Sequence, residues 1–200
     1  LHIGDKTSES DMSVTQGNIE SNATVNINRN GTLNITGGTV NLDENDSWQG
    51  DVNVTEGNLN LSNTNKHSSG KFNQTGGKTS IDGDFELNNK DDSISGGNLV
   101  IGENGESTVT VSKGSIHSGA NVTLNANSSI NVTGGNMSID NIDKWDGSIN
   151  VTEGTLNVSN VNNKTGILTQ TGGNTLVTGE GFDLNNASDN ISGGNLQIGD

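Results

Sequence analysis

The chain has no cysteine, no proline, only two tryptophans and three phenylalanines, and nine basic residues against 24 acidic ones. Without cysteine there is neither a disulfide framework nor a thiolate metal site, and the redox compartment leaves no mark on the sequence, which is compatible with export. Without proline the composition departs from that of disordered linkers, which are usually rich in it. A single arginine, Arg29, and a net charge of −15 argue against a nucleic-acid or anionic-membrane partner. Such charge favours solubility and mutual repulsion instead. No apolar run approaches the roughly 20 residues that span a bilayer, and no charged-then-apolar leader opens the chain. The expectation is an internal stretch of a longer protein, with no membrane insertion in this segment.

Leu, Ile, Val and Phe make up less than a quarter of the 200 residues. With this charge, such a composition sits near the border at which chains stay unfolded. The apolar residues are nevertheless regularly placed, so order is expected to come from repetition.

The phrase ITGGTVNLD (35–43) returns as VTEGNLNLS, QTGGKTSID, ISGGNLVIG, VTGGNMSID, VTEGTLNVS and ISGGNLQIG. Aligned on the second residue after the Thr or Ser, a glycine recurs ten times, at intervals of 17 to 21 residues: Gly17, Gly38, Gly57, Gly77, Gly97, Gly114, Gly135, Gly154, Gly173 and Gly194. A longer period of 97 residues relates Gly17 to Gly114, Gly38 to Gly135 and Trp48 to Trp145. The expected organisation is two five-coil units, 1–98 and 99–195, with 196–200 beginning a third, all in one continuous solenoid.

Apolar residues alternate before each glycine, as in Leu33 and Ile35 or Val52 and Val54, and again after it, as in Val40 and Leu42 or Leu59 and Leu61. A period of two is that of a strand. The expected fold is therefore all-β, a parallel β-helix or β-solenoid of about ten coils with about 20 residues each. Each coil places two short strands either side of a glycine corner, and a third segment such as ATVNINRN or DFELNN closes the turn. Glycine supplies a corner conformation that residues with a Cβ resist. Six corners continue with Asn (Asn18, Asn58, Asn98, Asn136, Asn174 and Asn195), which tolerates such corners and can bond to its own copy in the next coil. Gln74 and Gln170 break the apolar pattern at equivalent positions and are read as inward amides bonded to the backbone.

These corners, the richness in Asn, Gly, Thr and Ser, and the missing cysteine and proline resemble the β-helical shafts of large exported bacterial surface proteins. Filamentous-hemagglutinin-like adhesins, high-molecular-weight adhesins and autotransporter passenger domains are of this kind. The resemblance covers the whole chain and implies a right-handed parallel β-helix, secreted or at the bacterial cell surface. It also implies a glycan or protein on a host or neighbouring cell as partner. It transfers no binding residues, and the secretion domain and anchor of those families are not in this stretch.

Three sets of residues are candidates for chemistry. The outward face before the corners reads Asn-x-Thr or Asn-x-Ser at Asn34, Asn53, Asn73, Asn131, Asn150 and Asn190, each a sequon for N-glycosylation. An Asn-rich strand generates that triplet automatically, and this structural explanation is preferred. Trp48 and Trp145 could stack on sugar rings, but large aromatic surface is more often recruited to packing. The acidic clusters DENDSW (43–48), DGDFE (82–86) and KDD (90–92) match poorly between units, Asp91 and Asp92 standing opposite Ser188 and Asp189. They are read as solvated surface, without catalytic, metal or cofactor role. His2, His67 and His117 share no spacing and are expected to be exposed.

The function expected first is a stiff structural or adhesive shaft. A polysaccharide-binding or polysaccharide-degrading β-helix ranks second, and an ice-binding solenoid third, since its face would be flat Thr-x-Thr. No interval is long enough to hold an enzyme cleft. Uncapped coils at the two ends would allow end-to-end self-association.

Overall fold

The structure, a computed structural model, describes residues 1–5, 7–21, 26–42, 47–62, 69–117, 119–161, 164–180 and 182–199. Among them every regular element is a β-strand. All strand pairings are parallel, as stacked coils demand. The chain is a β-solenoid of about nine turns, with coils about 20 residues apart.

Each coil has three sides. Side I begins at Ser10–Val14 and passes coil by coil through Gly31, Asp51, Phe72, Ser93, Ser115, Asn136, Thr155 and Asn174 to Asn195. Side II runs from Asn18 through Thr39, Asn58, Lys78, Asn98, Asn121 and Asn141 to Asn160. Side III joins His2, Asn26 and Ser47, and resumes at Asp84 to continue through Thr108, Ser129, Ser148 and Thr169 to Asn190.

Alternation turns every second side chain inward. Ile35, Val54, Gln74, Ile94, Ile116, Met137 and Leu156 are all fully buried on side I, each above the last and all apolar but Gln74. Stacking like on like lets a thin apolar complement suffice, since burial of each such side chain is worth about 1.5–3 kcal/mol. Ladder bonds between coils satisfy the backbone without any helix or hairpin.

The long repeat does not contain a whole number of coils. The sequence Leu-x-Ile-Gly opens both units and recurs where the third would start. It lies on side III at 1–4, on side II at 99–102 and on side I at 196–199. One unit therefore occupies four and two-thirds coils rather than the expected five, and the second unit is turned by one side relative to the first. The cause is at the junction, where the coil is lengthened: Gly97 stacks on Ala120, and Asp84 on Thr108. The short interval from Gly97 to Gly114 is two sides of a coil.

The ten glycines accordingly form two stacks on different corners, Gly17 to Gly97 between sides I and II, and Gly114 to Gly194 between sides III and I. Eight of them have φ between +64° and +81°, where a Cβ is strained. Gly114 and Gly135 differ from expectation, for neither has a positive φ. Their reason is close approach: a Cβ on Gly114 would collide with Leu87 and Asp92, and one on Gly135 with the Gly114 carbonyl.

Candidate functional site

Trp48 and Trp145 are both 0 % exposed, which removes them as glycan contacts. Trp48 packs edge-on to Phe72 at 6.0 Å and lies 5.8 Å from Phe85, while Trp145 lies 6.0 Å from Phe182. Each indole N–H donates to a backbone carbonyl two residues on, Gly50 at 3.0 Å and Gly147 at 3.1 Å. The indoles fill two widened places in the core, on side III and side II respectively.

The sequon asparagines do not form one strip. Asn34, Asn53 and Asn73 lie on side I, whereas Asn131, Asn150 and Asn190 lie on side III. Within each group amides bond from coil to coil: Asn53 Nδ2 donates to Asn34 Oδ1 at 2.8 Å, and Asn150 Nδ2 to Asn131 Oδ1 at 2.9 Å. A glycan on Asn53 or Asn150 would have to displace that bond. Corner asparagines do the same, Asn195 Nδ2 donating to Asn174 Oδ1 at 2.9 Å.

The inward glutamines hold the backbone across the corner. Gln74 Nε2 donates to the Gly96 and Asn98 carbonyls at 3.0 and 3.2 Å, and Gln170 Nε2 to the Asn195 carbonyl at 2.9 Å. Their Oε1 atoms, and the hydroxyls of Thr79 and Thr175, have no partner among the described residues.

The acidic clusters come apart. Residues 43–46 of the first, and His67, lie outside the described residues. In the second, Phe85 points into the core while Glu86 accepts from the Ser112 hydroxyl at 2.6 Å. In the third, Asp91 pairs with Lys90 at 2.7 Å, and that contact holds its carboxyl below the ordinary range. Asp92 is not solvated surface: it is 1 % exposed and accepts the backbone N–H groups of Phe72 and Asn89 at 2.9 and 2.8 Å. Its counterpart Asp189 accepts from Leu168 and Asn186 in the same way. Asp189 also pairs at 2.9 Å with Lys164, an ammonium with a 1 % exposed side chain set over the rings of Trp145 and Phe182. His2 and His117 are exposed and far apart in the fold. Among the described residues no group of three or more His, Asp or Glu is placed to hold a metal ion.

One concave feature does emerge, on the outer surface of side II. Thr39, Asn41, Asn58, Asn60 and Ser62 form the floor of an open groove of about 530 Å³, and the junction segment 102–107 folds back to wall one end. Glu103 reaches Lys78 at 2.9 Å and accepts from the Ser80 hydroxyl at 3.2 Å. Asn104 grips Asp82 twice, through its backbone N–H at 2.9 Å and its Nδ2 at 2.7 Å. The hydrogen bond from Lys78 holds the Glu103 carboxyl below its ordinary range. Side chains stacked at about 4.8 Å give the floor a repeat of uncharged amides and hydroxyls. Of its lining only Asn58, as a corner asparagine, and Asp82, in the second acidic cluster, stand out in the sequence, and neither marks a groove; the signal is the irregular interval after Gly97.

The chain matches no protein-family model, no curated protein and no solved structure.

Proposed function

We propose that this chain is a segment of a stiff extracellular shaft, a spacer on a bacterial surface or secreted protein that contributes to adhesion along its length. One observation carries the reading: the side I ladder continues without a break from Ser10 to Ile198. Bending such a rod means stretching hydrogen bonds on one side and compressing packed side chains on another, and both are costly in a close-packed solenoid. Nine coil steps give a rod of about 43 Å. The net charge of −15 keeps neighbouring rods apart.

The resemblance to β-helical adhesin shafts and the cysteine-free, acidic composition support an extracellular location. Antibodies raised against the chain should label intact, unpermeabilised source cells or their culture medium. Labelling obtained only after lysis would overturn the reading.

A further inference from the structure

The side II groove is built from groups that could recognise a ligand only through side chains. Backbone N–H and C=O groups of its strands are consumed in coil-to-coil ladders, so a peptide cannot add there as an extra strand. The residues lining it include no apolar side chain, which leaves nothing for a lipid or an apolar helix to bury against. Its one basic group, Lys78, is already paired with Glu103, and Asp82 adds a further negative charge, so anions are disfavoured. What remains is a floor of amides and hydroxyls.

We propose that this groove binds a neutral oligosaccharide laid along the solenoid axis. Each amide presents a donor and an acceptor side by side, as a sugar hydroxyl does. Asn60 Nδ2 donates to Asn41 Oδ1 at 2.6 Å, which fixes both side chains in the floor. Asn41 Nδ2 and Asn60 Oδ1 take no other bond among the described residues and are left to meet hydroxyls. The floor and its Lys78 to Asp82 edge occupy three coils and span about 10 Å, enough for a short stretch of extended glycan. The 102–107 wall, clamped through Glu103 and Asn104, closes one end and gives the strip a defined stop. Preorganised polar groups of this kind lower the ordering cost of binding.

The second unit contains its own control. On side I the corresponding positions are Ser138, Asn157 and Leu176, stacked in register, so an amide and a hydroxyl of the floor are replaced there by Ser and Leu. The inference deepens the adhesive part of the function proposed above; its failure would leave the shaft intact, since the shaft is tested by surface labelling.

Titration calorimetry of the 200-residue chain with cellohexaose, mannohexaose, chitohexaose and an oligouronate tests it. At least one neutral hexasaccharide should bind and the oligouronate should not. Asn60→Ala should weaken that binding by about threefold to tenfold, the value of one to two hydrogen bonds, while Asn157→Ala, which removes an equivalent amide from the same fold, leaves it unchanged. Absence of binding to all three neutral sugars, preference for the oligouronate, or equal loss in the two variants would each overturn the proposal.

Discussion

The turn of one unit against the other can be tested with a pair of engineered thiols. Ser93 and Ser115 are partners in the side I ladder, in adjacent coils, each flanked by an inward isoleucine. Parallel neighbours lie about 4.8 Å apart, inside the 4.4–6.8 Å that a disulfide accepts between Cα atoms. Were the 97-residue unit five whole coils, with Gly97 above Gly114, Ser93 would instead sit over Thr110, which in this fold occupies side III beside Glu86 and Asn131. The double variant Ser93→Cys/Ser115→Cys should therefore oxidise readily and Ser93→Cys/Thr110→Cys should not. Closing a loop of about 23 residues removes chain entropy from the unfolded state worth about 3 kcal/mol. Urea unfolding of the first variant, oxidised against reduced, should show a rise in unfolding free energy of that size, and thiol titration reports the bond itself. Efficient oxidation of the Thr110 pair, or free thiols at 93 and 115, would refute the register.

Two other outcomes follow from charged groups. Asp189→Ala strands the Lys164 ammonium inside the core and removes the acceptor of the Leu168 N–H; loss of one partner of a buried pair should cost about 3–5 kcal/mol in denaturant unfolding. Glu103 has a folded-state affinity for protons below its unfolded one, so its contribution is present above the ordinary glutamate range and is lost as pH falls through the depressed value. Amide exchange at Asn104, whose N–H is bound to Asp82, should accelerate in that acid window, and Glu103→Gln should remove the Glu103-dependent step.

Alternation and the glycine phrase made the coil, its inward residues and its two main strands legible, because both are local consequences of strand geometry. Gln74 and Gln170 were equally visible, as breaks in an otherwise apolar column. The unit's rotation was not, since it depends on how Ala120 finds Gly97 across a lengthened coil, and sequence identity at 97 residues invites the assumption of whole turns. Asp92 and Asp189 illustrate the same limit: in sequence they stand among exposed charges, and only the fold brings unpaired backbone donors to them. The groove is likewise a product of register, assembled from Asn41, Asn60 and Glu103 on three separate coils.

A repeat that stops a third of a turn short has a consequence for any longer array of it. Successive copies advance by about 22 Å and point in three compass directions, so that a given surface motif returns to its starting azimuth only after three copies, about 67 Å along the axis. A flat substrate would meet every third copy, whereas ligands arranged around the rod would meet all of them. Such a filament is a spiral stair rather than a ribbon, and it favours capture from any quarter over tight apposition to one plane.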